Sequence, residues 1–270
     1  MIKILAVTLI ACASFVSAQL DVGSISAGCA AALNSVVANP EASACLSPNS
    51  FVPILSAQNA SIIAPIDSWL TTICAAGPCS NATLSAIITN VTTGCPSELD
   101  VAGATSTEIA ASIISTVQQY YPVVRKIVCL KDGSANCITK TLTSIESFVG
   151  GSLSVSKVLQ LVISSGPNAQ SIPSNITCTN CVKAAYNVLA QDIPSLVSDV
   201  APSAQSQCGA SFTDGKTPDD ITQSAADLAA PLPSGSSAAL GSVSLLTRGA
   251  FTGIIVSAFV AASTAFAFLA

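Results

Sequence analysis

The sequence predicts an all-α fold, a bundle of short helices stapled by disulfide bonds. Apolar residues recur at helical spacing along most of the chain, whereas Asn-Gly hairpin turns and sustained alternation of β-branched and polar residues are missing. An even set of ten cysteines follows the N-terminal segment, which favours five disulfides in an oxidising compartment. Helices with such short apolar stripes are not stable alone in water, so packing and disulfides must hold them together.

The only tryptophan lies on a helical row early in the chain. Trp69 shares this row with Ile62, Ile66 and Ile73, just before a cysteine. This position favours a place in the hydrophobic core over a role as a ligand platform.

The helix after residue 80 has the clearest signals. Its apolar stripe consists of Leu84, Ile87, Ile88 and Val91. Ser80 or Asn81 can cap its start, and Gly94 can end it.

A capping box opens the next predicted helix. Thr105 and Glu108 stand three residues apart, ahead of the apolar residues Ile109, Ile113 and Val117. Pro122 is expected to break this helix or restart it, which leaves Val124, Ile127 and Val128 on the following one. Tyr120 and Tyr121 would then end the first helix and cover its seam.

Two further stripes and a terminal helix complete the predicted bundle. The stripes are Ile138, Leu142, Ile145 and Val149, closed by Gly150 and Gly151, and Val182, Ala185, Val188 and Leu189. Thr217-Pro218-Asp219-Asp220 combines a cap, a first-turn proline and two acids, which predicts a helix start. From Pro231 the chain is rich in Pro, Ser, Gly and Ala, as in a flexible stalk. The predicted cysteine-rich domain is therefore 19–216, and the terminal helix and stalk occupy 217–236.

The N-terminus predicts a signal peptide over residues 1–18. Lys3 precedes an apolar run from Ile4 to Val16, and Val16 and Ala18 are the small residues of a cleavage site after Ala18. The run is too short to cross a bilayer, which takes about 20 apolar residues. Cys12 leaves with this peptide.

The C-terminal region predicts a glycosylphosphatidylinositol (GPI) attachment signal. Gly249 to Ala270 is uncharged and apolar, and it follows a polar stretch and the small-residue cluster Ser234–Ala238. We expect attachment at Ser236, with Gly235 or Ser237 as alternatives, and removal of residues 237–270. A single-pass helix is the other interpretation, but such spans usually carry Lys or Arg on their cytoplasmic side, and the tail lacks them.

The surviving cysteines suggest an internal duplication. They are Cys29, Cys45, Cys74, Cys79, Cys95, Cys129, Cys137, Cys178, Cys181 and Cys208. The first five and the last five each contain two leading cysteines, a close pair and a trailing one, which suggests halves 19–103 and 104–216. The spacings differ between the groups, so the duplication and the pairing stay open. Cys178 and Cys181 have metal-ligand spacing, but an even count outside the cell favours disulfides.

Composition excludes several function classes. The chain lacks histidine, so imidazole is unavailable as a general base or metal ligand, and no cofactor or metal is predicted. After processing, seven basic and fourteen acidic residues give a net charge of −7, which argues against nucleic-acid binding. Sugars are expected to supply solubility. The four N-glycosylation sequons begin at Asn59, Asn81, Asn90 and Asn175.

Paired acids are the only candidates for a glycan-active enzyme, which needs two placed carboxylates. The pairs are Glu98 with Asp100, Asp192 with Asp199, and Asp219 with Asp220. Helix starts and loops explain them better, and aromatic sugar platforms are scarce. Asp214 near Asp219 offers too few oxygens for calcium.

A family resemblance rests on segments within roughly residues 25–225, which are Phe51-Val-Pro-Ile-Leu-Ser56, Trp69-Leu-Thr-Thr-Ile-Cys74, Pro78-Cys-Ser-Asn-Ala-Thr83, Val128-Cys-Leu-Lys-Asp132, Cys178-Thr-Asn-Cys-Val-Lys-Ala-Ala-Tyr186, and Gln207-Cys-Gly-Ala-Ser-Phe212 with Asp214-Gly215. In these segments the chain resembles a family of GPI-anchored, cysteine-rich proteins of fungi, chiefly basidiomycetes, of unknown function. The resemblance implies a cell-surface location and a cysteine framework, but no catalytic residues.

These features predict a noncatalytic, GPI-anchored glycoprotein of the cell surface or cell wall, with a structural or interaction role. Its expected partners are the membrane, through the anchor, and cell-wall glucan or other surface proteins. A lipid- or sterol-binding carrier is the alternative, because small helical disulfide-rich folds often enclose an apolar cavity. A carbohydrate-active enzyme is a weaker second alternative.

Overall fold

The structure is a computed structural model that describes residues 26–51, 60–99, 106–158 and 173–226. The predicted signal peptide, the stalk beyond Ala226, the attachment segment and Thr105 of the capping box lie outside these residues. The helices are α1 (Ala27–Ala38), α2 (Pro40–Leu46), α3 (Ile63–Ala75), α4 (Asn81–Gly94), α5 (Ser106–Val128), α6 (Cys137–Val149), α7 (Ser174–Thr177), α8 (Asn180–Asp192), α9 (Pro194–Val197) and α10 (Ala201–Cys208). The strands are β1 (Leu130–Asp132), β2 (Ala135–Asn136) and β3 (Ile221–Gln223). The described residues are mostly helical and disulfide-linked, so the predicted fold class is confirmed.

Helix α4 forms as its sequence predicts. The Ser80 hydroxyl accepts the Thr83 N–H at 3.0 Å, and Gly94 is the last helical residue. The four predicted stripe residues are all buried. Leu84, Ile87 and Val91 pack in one cluster with α1 and α2.

Helix α5 corrects the prediction for Pro122. The helix continues through this residue to Val128, and Tyr121 therefore lies inside the helix and not at its end. Pro122 is exposed, whereas Tyr121, Val123 and Ile127 are buried in clusters on either side of it. Burial of both flanks outweighs the roughly 3 kcal/mol that proline costs a helix interior.

Helices α6 and α8 are capped at the expected ends. The Asn136 side chain accepts the Ile138 N–H at 2.7 Å, and Gly150 closes α6 in the left-handed conformation, with φ 70°. At the start of α8, the Thr179 hydroxyl accepts the Val182 N–H at 3.3 Å. Thr179 lies between Cys178 and Cys181, so this close cysteine pair does open a helix.

A small antiparallel sheet replaces the predicted terminal helix. Its strand order is β2-β1-β3, and Lys131 of β1 faces Asn136 on one side and Thr222 on the other. Asp219 and Asp220 therefore precede a strand and not a helix. Pairing with the open edge of β1 gives the backbone N–H and C=O groups of residues 221–223 hydrogen-bond partners, and Ile221 is buried. Residues up to Ala226 thus belong to the packed domain, which corrects its predicted end at residue 216.

Trp69 is a core residue, as predicted. It is buried in a cluster of α3 residues with Val128, Cys129 and Ala225. Its indole N–H donates to the Leu46 carbonyl at 2.7 Å, which satisfies the one polar atom of the ring. The cluster brings together helix α3, the end of α5 and the segment after β3.

Five disulfides join the ten predicted cysteines. The pairs are Cys29–Cys95, Cys45–Cys79, Cys74–Cys129, Cys137–Cys181 and Cys178–Cys208. Among the first five cysteines, the first pairs with the fifth and the second with the fourth. Among the last five, the second pairs with the fourth and the third with the fifth. The pairing is therefore not duplicated between the halves. Cys74–Cys129 links one half to the other.

Candidate functional site

The cysteines that resembled metal ligands are disulfide sulfurs. Cys178 and Cys181 bond to different partners and not to each other. Within the described part of the chain, one group of three potential ligands lies close together, Cys29, Cys95 and Glu98. Cys29 and Cys95 are bonded to each other, so they have no thiolate to offer a metal.

Two members of the predicted acid pairs, Asp192 and Asp220, accept hydrogen bonds from other side chains. Both carboxylate oxygens of Asp192 accept from Lys126 Nζ, at 2.7 and 3.0 Å, while Asp199 is exposed. Asp220 accepts from the Asn180 side-chain amide at 3.0 and 3.1 Å. Asp100, the predicted partner of Glu98, lies outside the described residues.

One oxygen of the Asp214 carboxylate is held by two lysine groups. Its Oδ1 lies 2.9 Å from Lys183 Nζ and accepts the Lys216 N–H at 2.9 Å. The hydrogen bond from Lys183, followed by the one from Lys216, lowers the pKa of Asp214 below its ordinary value. A cation would have to displace a lysine ammonium from this oxygen.

Two other carboxylates also have lowered pKa values. The Ser26 N–H donates to Glu98 at 2.6 Å, and this bond lowers the pKa of Glu98 despite opposing desolvation. The Ser61 hydroxyl, at 2.6 Å, and then the Leu153 N–H, at 2.8 Å, lower the pKa of Glu146. A general acid needs the opposite displacement, so these groups suit structural hydrogen bonding.

Arg125 is a buried cation that sequence reasoning did not single out. Its guanidinium donates to the Ile73 carbonyl at 2.8 Å and to the Ala76 carbonyl. These carbonyls end helix α3, where the helix dipole is negative. Arg125 is the only arginine between residues 19 and 236, and it stands among apolar residues of α5. Its place within the apolar stripe of Val124, Ile127 and Val128 is the signal that could have identified it.

The described sequons place their asparagines at the surface. Asn81 is the first residue of α4, Asn90 lies later in the same helix, and Asn175 is in α7, and all three are exposed. The Asn90 amide donates to the Ser35 hydroxyl on α1. Asn59 lies outside the described residues. Each of the three exposed positions offers an amide to which a glycan could be attached.

Phe148 lies on α6 and is 52% exposed. Among the described residues it is the only large hydrophobic side chain in the exposed class. Isolated exposed apolar residues are ordinary on protein surfaces. This phenyl group therefore does not by itself define a binding site.

The segment after β3 is bound to the backbone of the disulfide that links the halves. Ser224 donates its N–H and its hydroxyl to the Cys129 carbonyl, at 3.0 and 2.7 Å. The Ala226 N–H donates to the Cys74 carbonyl at 2.9 Å, and Ala225 between them is fully buried. The chain thus leaves the described domain from a fixed point on the Cys74–Cys129 bridge.

Comparison of the chain with protein-family models, with curated proteins and with solved structures found no significant match. The resemblance to the fungal surface-protein family therefore stays a prediction. Among the helices that the structure describes, none is long and apolar enough to cross a membrane.

Proposed function

We propose that the chain is a noncatalytic glycoprotein held at the outer face of the plasma membrane or in the cell wall by a GPI anchor. Five disulfides among the described residues carry this proposal. Such a set persists in oxidising compartments and is rare in the cytosol. The bridges close loops of 30 to 66 residues, each worth about 3–5 kcal/mol in a chain-entropy model.

The chemistry of the described surface supports a structural or interaction role. Three of the acids singled out as catalytic candidates, Asp192, Asp220 and Glu98, bind lysine, asparagine or backbone groups, and exposed asparagines offer attachment points for sugars. A glycosylated, acidic and rigidly cross-linked module suits contact with wall glucan or with another surface protein. The fungal resemblance supports the same location.

The anchor is supported by the sequence beyond the described domain. Seven residues, 227–233, with prolines at 231 and 233, separate Ala226 from the small residues at 234–238, and an uncharged apolar segment occupies 249–270. The last strand of the domain, β3, pairs with β1, and the residues after it bond to the carbonyls of Cys74 and Cys129. An anchor attached beyond this end therefore leaves the packing intact.

Enzymatic release tests the anchor. Phosphatidylinositol-specific phospholipase C should move the native protein from membranes to the soluble fraction, with residues 237–270 absent by mass spectrometry. Replacing Gly235, Ser236 and Ser237 together by leucine should abolish attachment. The matched control is Ser242→Leu with Ser244→Leu, which changes the spacer and should leave release unaffected. Retention of an uncleaved apolar tail in the membrane fraction would reject the anchor.

Binding assays test the role. Purified glycoprotein should be retained on insoluble β-glucan or chitin, or should capture a surface protein, and it should carry no stoichiometric lipid after organic extraction and mass spectrometry. A bound lipid at one per chain would replace this proposal with the carrier function. Hydrolysis of a glucan or chitin oligomer by the purified protein would replace it with an enzyme.

A further inference from the structure

Every sequon that lies wholly within the described residues hides its hydroxyl residue. Thr83, Thr92 and Thr177 are 4%, 3% and 7% exposed, although the asparagine two positions earlier is exposed in each case. In all three sequons the helix turns the asparagine outward and the threonine inward. The two groups that define the sequon therefore do not share one accessible surface.

The buried hydroxyls also have partners inside the fold. Thr83 Oγ1 donates to Glu41 Oε2 at 2.9 Å and lies 2.8 Å from Ser80 Oγ. Thr92 Oγ1 donates to the Ile88 carbonyl at 2.8 Å. Exposing either hydroxyl requires breaking these bonds and opening helix α4.

The third hydroxyl is held across two helices. Thr177 Oγ1 accepts from the Gln207 side-chain amide on α10 at 3.1 Å. The fold thus uses this sequon hydroxyl to dock α7 against α10. Docking and recognition of the sequon by an enzyme exclude each other.

N-linked glycosylation needs both groups at once. The transferase recognises the hydroxyl of the Asn-X-Ser/Thr pattern while the asparagine Nδ2 attacks the first sugar of a polyprenyl-diphosphate oligosaccharide. The N–C bond forms, the C–O bond to the diphosphate breaks, the polyprenyl diphosphate leaves, and one Nδ2 proton passes to a base of the enzyme. A native helix cannot present both the asparagine and a buried threonine to one active site.

Each of these sequons adjoins a cysteine whose disulfide fixes the helix. Cys79 stands two residues before Asn81, Cys95 three residues after Thr92, and Cys178 one residue after Thr177. Their partners lie 34, 66 and 30 residues away in the chain. Once a bridge forms, the helix beside it is fixed, and the hydroxyl of its sequon is no longer accessible to the transferase.

We propose that sugar addition to this chain is gated by disulfide closure, with Cys45–Cys79 closing the Asn81 sequon and Cys178–Cys208 closing the Asn175 sequon. The inference rests on the proposed passage through the secretory pathway. Glycans enter only before the neighbouring bridge forms, and the completed fold then holds each sugar on an outward-facing asparagine.

The experiment compares the oxidised and reduced full chain as acceptors in vitro. Unglycosylated protein is incubated with oligosaccharyltransferase and a polyprenyl-diphosphate oligosaccharide, and occupancy at Asn81 and Asn175 is read by mass spectrometry of peptides. The oxidised, folded protein should be modified at least tenfold more slowly than the reduced, unfolded protein. Equal rates would overturn the proposal, and so would failure of the reduced chain to accept sugar.

Variants of the distant cysteines give a crossed test, because they leave both sequons and their neighbours unchanged. Cys45→Ser should raise the rate at Asn81 in the oxidised protein, and Cys208→Ser should raise it at Asn175. Either variant raising only the other site would overturn the assignment. An equal rise in the glycosylation rate at both sites would show global unfolding and would overturn bridge-specific gating. The comparison of oxidised with reduced wild-type protein would still test gating by the fold as a whole.

A positive control uses the hairpin between β1 and β2. Asp132→Asn creates the Asn-Gly-Ser pattern at 132–134, and Ser134 is exposed at the turn. This site should accept sugar in the folded, oxidised protein, which excludes a general inability of the transferase to use folded chains. The proposed secretory route is tested separately, by whether protein isolated from cells carries any N-glycan.

Discussion

Gly94 is the position at which one added methyl group should damage the fold most directly. A Cβ on this residue would lie 2.2 Å from Ala32 Cβ on α1 and 3.2 Å from the Gly28 carbonyl. Favourable carbon contacts need about 3.5–4.0 Å, so the helices would have to separate by more than an ångström. The adjoining Cys29–Cys95 bridge holds its Cα atoms 4.2 Å apart and opposes that separation.

We expect Gly94→Ala to lower the free energy of unfolding by about 2 kcal/mol, within the usual range for overpacking. Alanine gains at most about 1 kcal/mol of helix propensity over glycine, and less at the last helical residue. For a domain of this size, thermal unfolding by near-ultraviolet circular dichroism should show a Tm lower by about 4–8 °C. The disulfides must stay intact during the measurement.

A double-mutant cycle separates the clash from other effects. Ala32→Gly removes the atom that Gly94→Ala would strike, so the double variant should be more stable than the two single losses predict, by at least about 0.5 kcal/mol. Gly77→Ala is the matched control, because its Cβ would meet no atom within 4 Å. Wild-type stability in Gly94→Ala, or strict additivity in the double variant, would refute the close-contact argument.

Three further predictions concern buried or paired polar groups. Tyr121→Phe removes the acceptor of the Cys79 N–H, a 2.9 Å bond, and should lower the unfolding free energy by about 1–3 kcal/mol in thermal melts; an unchanged Tm would contradict it. Arg125→Met strips the charged donor from the carbonyls that end α3 and should cost about 2–3 kcal/mol in urea unfolding; a stabilised variant would show that desolvation dominates. The pKa of Glu146 is lowered in the fold from its ordinary value of 4.5, so the ionised carboxylate stabilises the fold at pH values above 4.5. This contribution is lost as the pH falls through the lower native pKa. Glu146→Gln should flatten the acid side of the stability profile, and an unaltered profile would disprove that linkage.

Local signals predicted the parts of the fold that depend on neighbours in sequence. Ser80 caps α4, Gly150 closes α6, and the stripe from Leu84 to Val91 is buried, because caps and helical periodicity act over a few residues. The burial of Trp69 followed from the same periodicity. The residues that determine these features lie within a few positions of one another in the sequence.

Contacts between distant segments were not predictable in this way. Pro122 is tolerated because its neighbours on α5 are buried in clusters on both sides of the helix. Strand β3 forms because it can pair with the free edge of β1, about 90 residues earlier in the chain. Strands β1 and β2 have three and two residues, which is too few to show the alternation that predicts a strand. Cysteine count predicted five bridges, whereas their pairing depends on the packed positions of helices.

The candidate site shows the same division. The sequence located the sequons but gave no indication that Thr83 and Thr177 would be buried, because each hydroxyl faces a residue from a distant element, Glu41 or Gln207. The network of Ser61 with Glu146 was likewise invisible, since 85 residues separate them.

The clamp formed by Ser224 and Ala226 has a mechanical consequence. A pull applied beyond Ala226 first meets the ladder between β3 and β1 and the bonds to the carbonyls of Cys74 and Cys129. Because a covalent bridge joins those two cysteines, tension spreads at once to helix α3 and to the end of α5. If the proposed anchor holds the chain beyond Ala226, drag on the molecule would thus be shared by helix α3 and the end of α5, and the domain would resist unfolding from its C-terminal side.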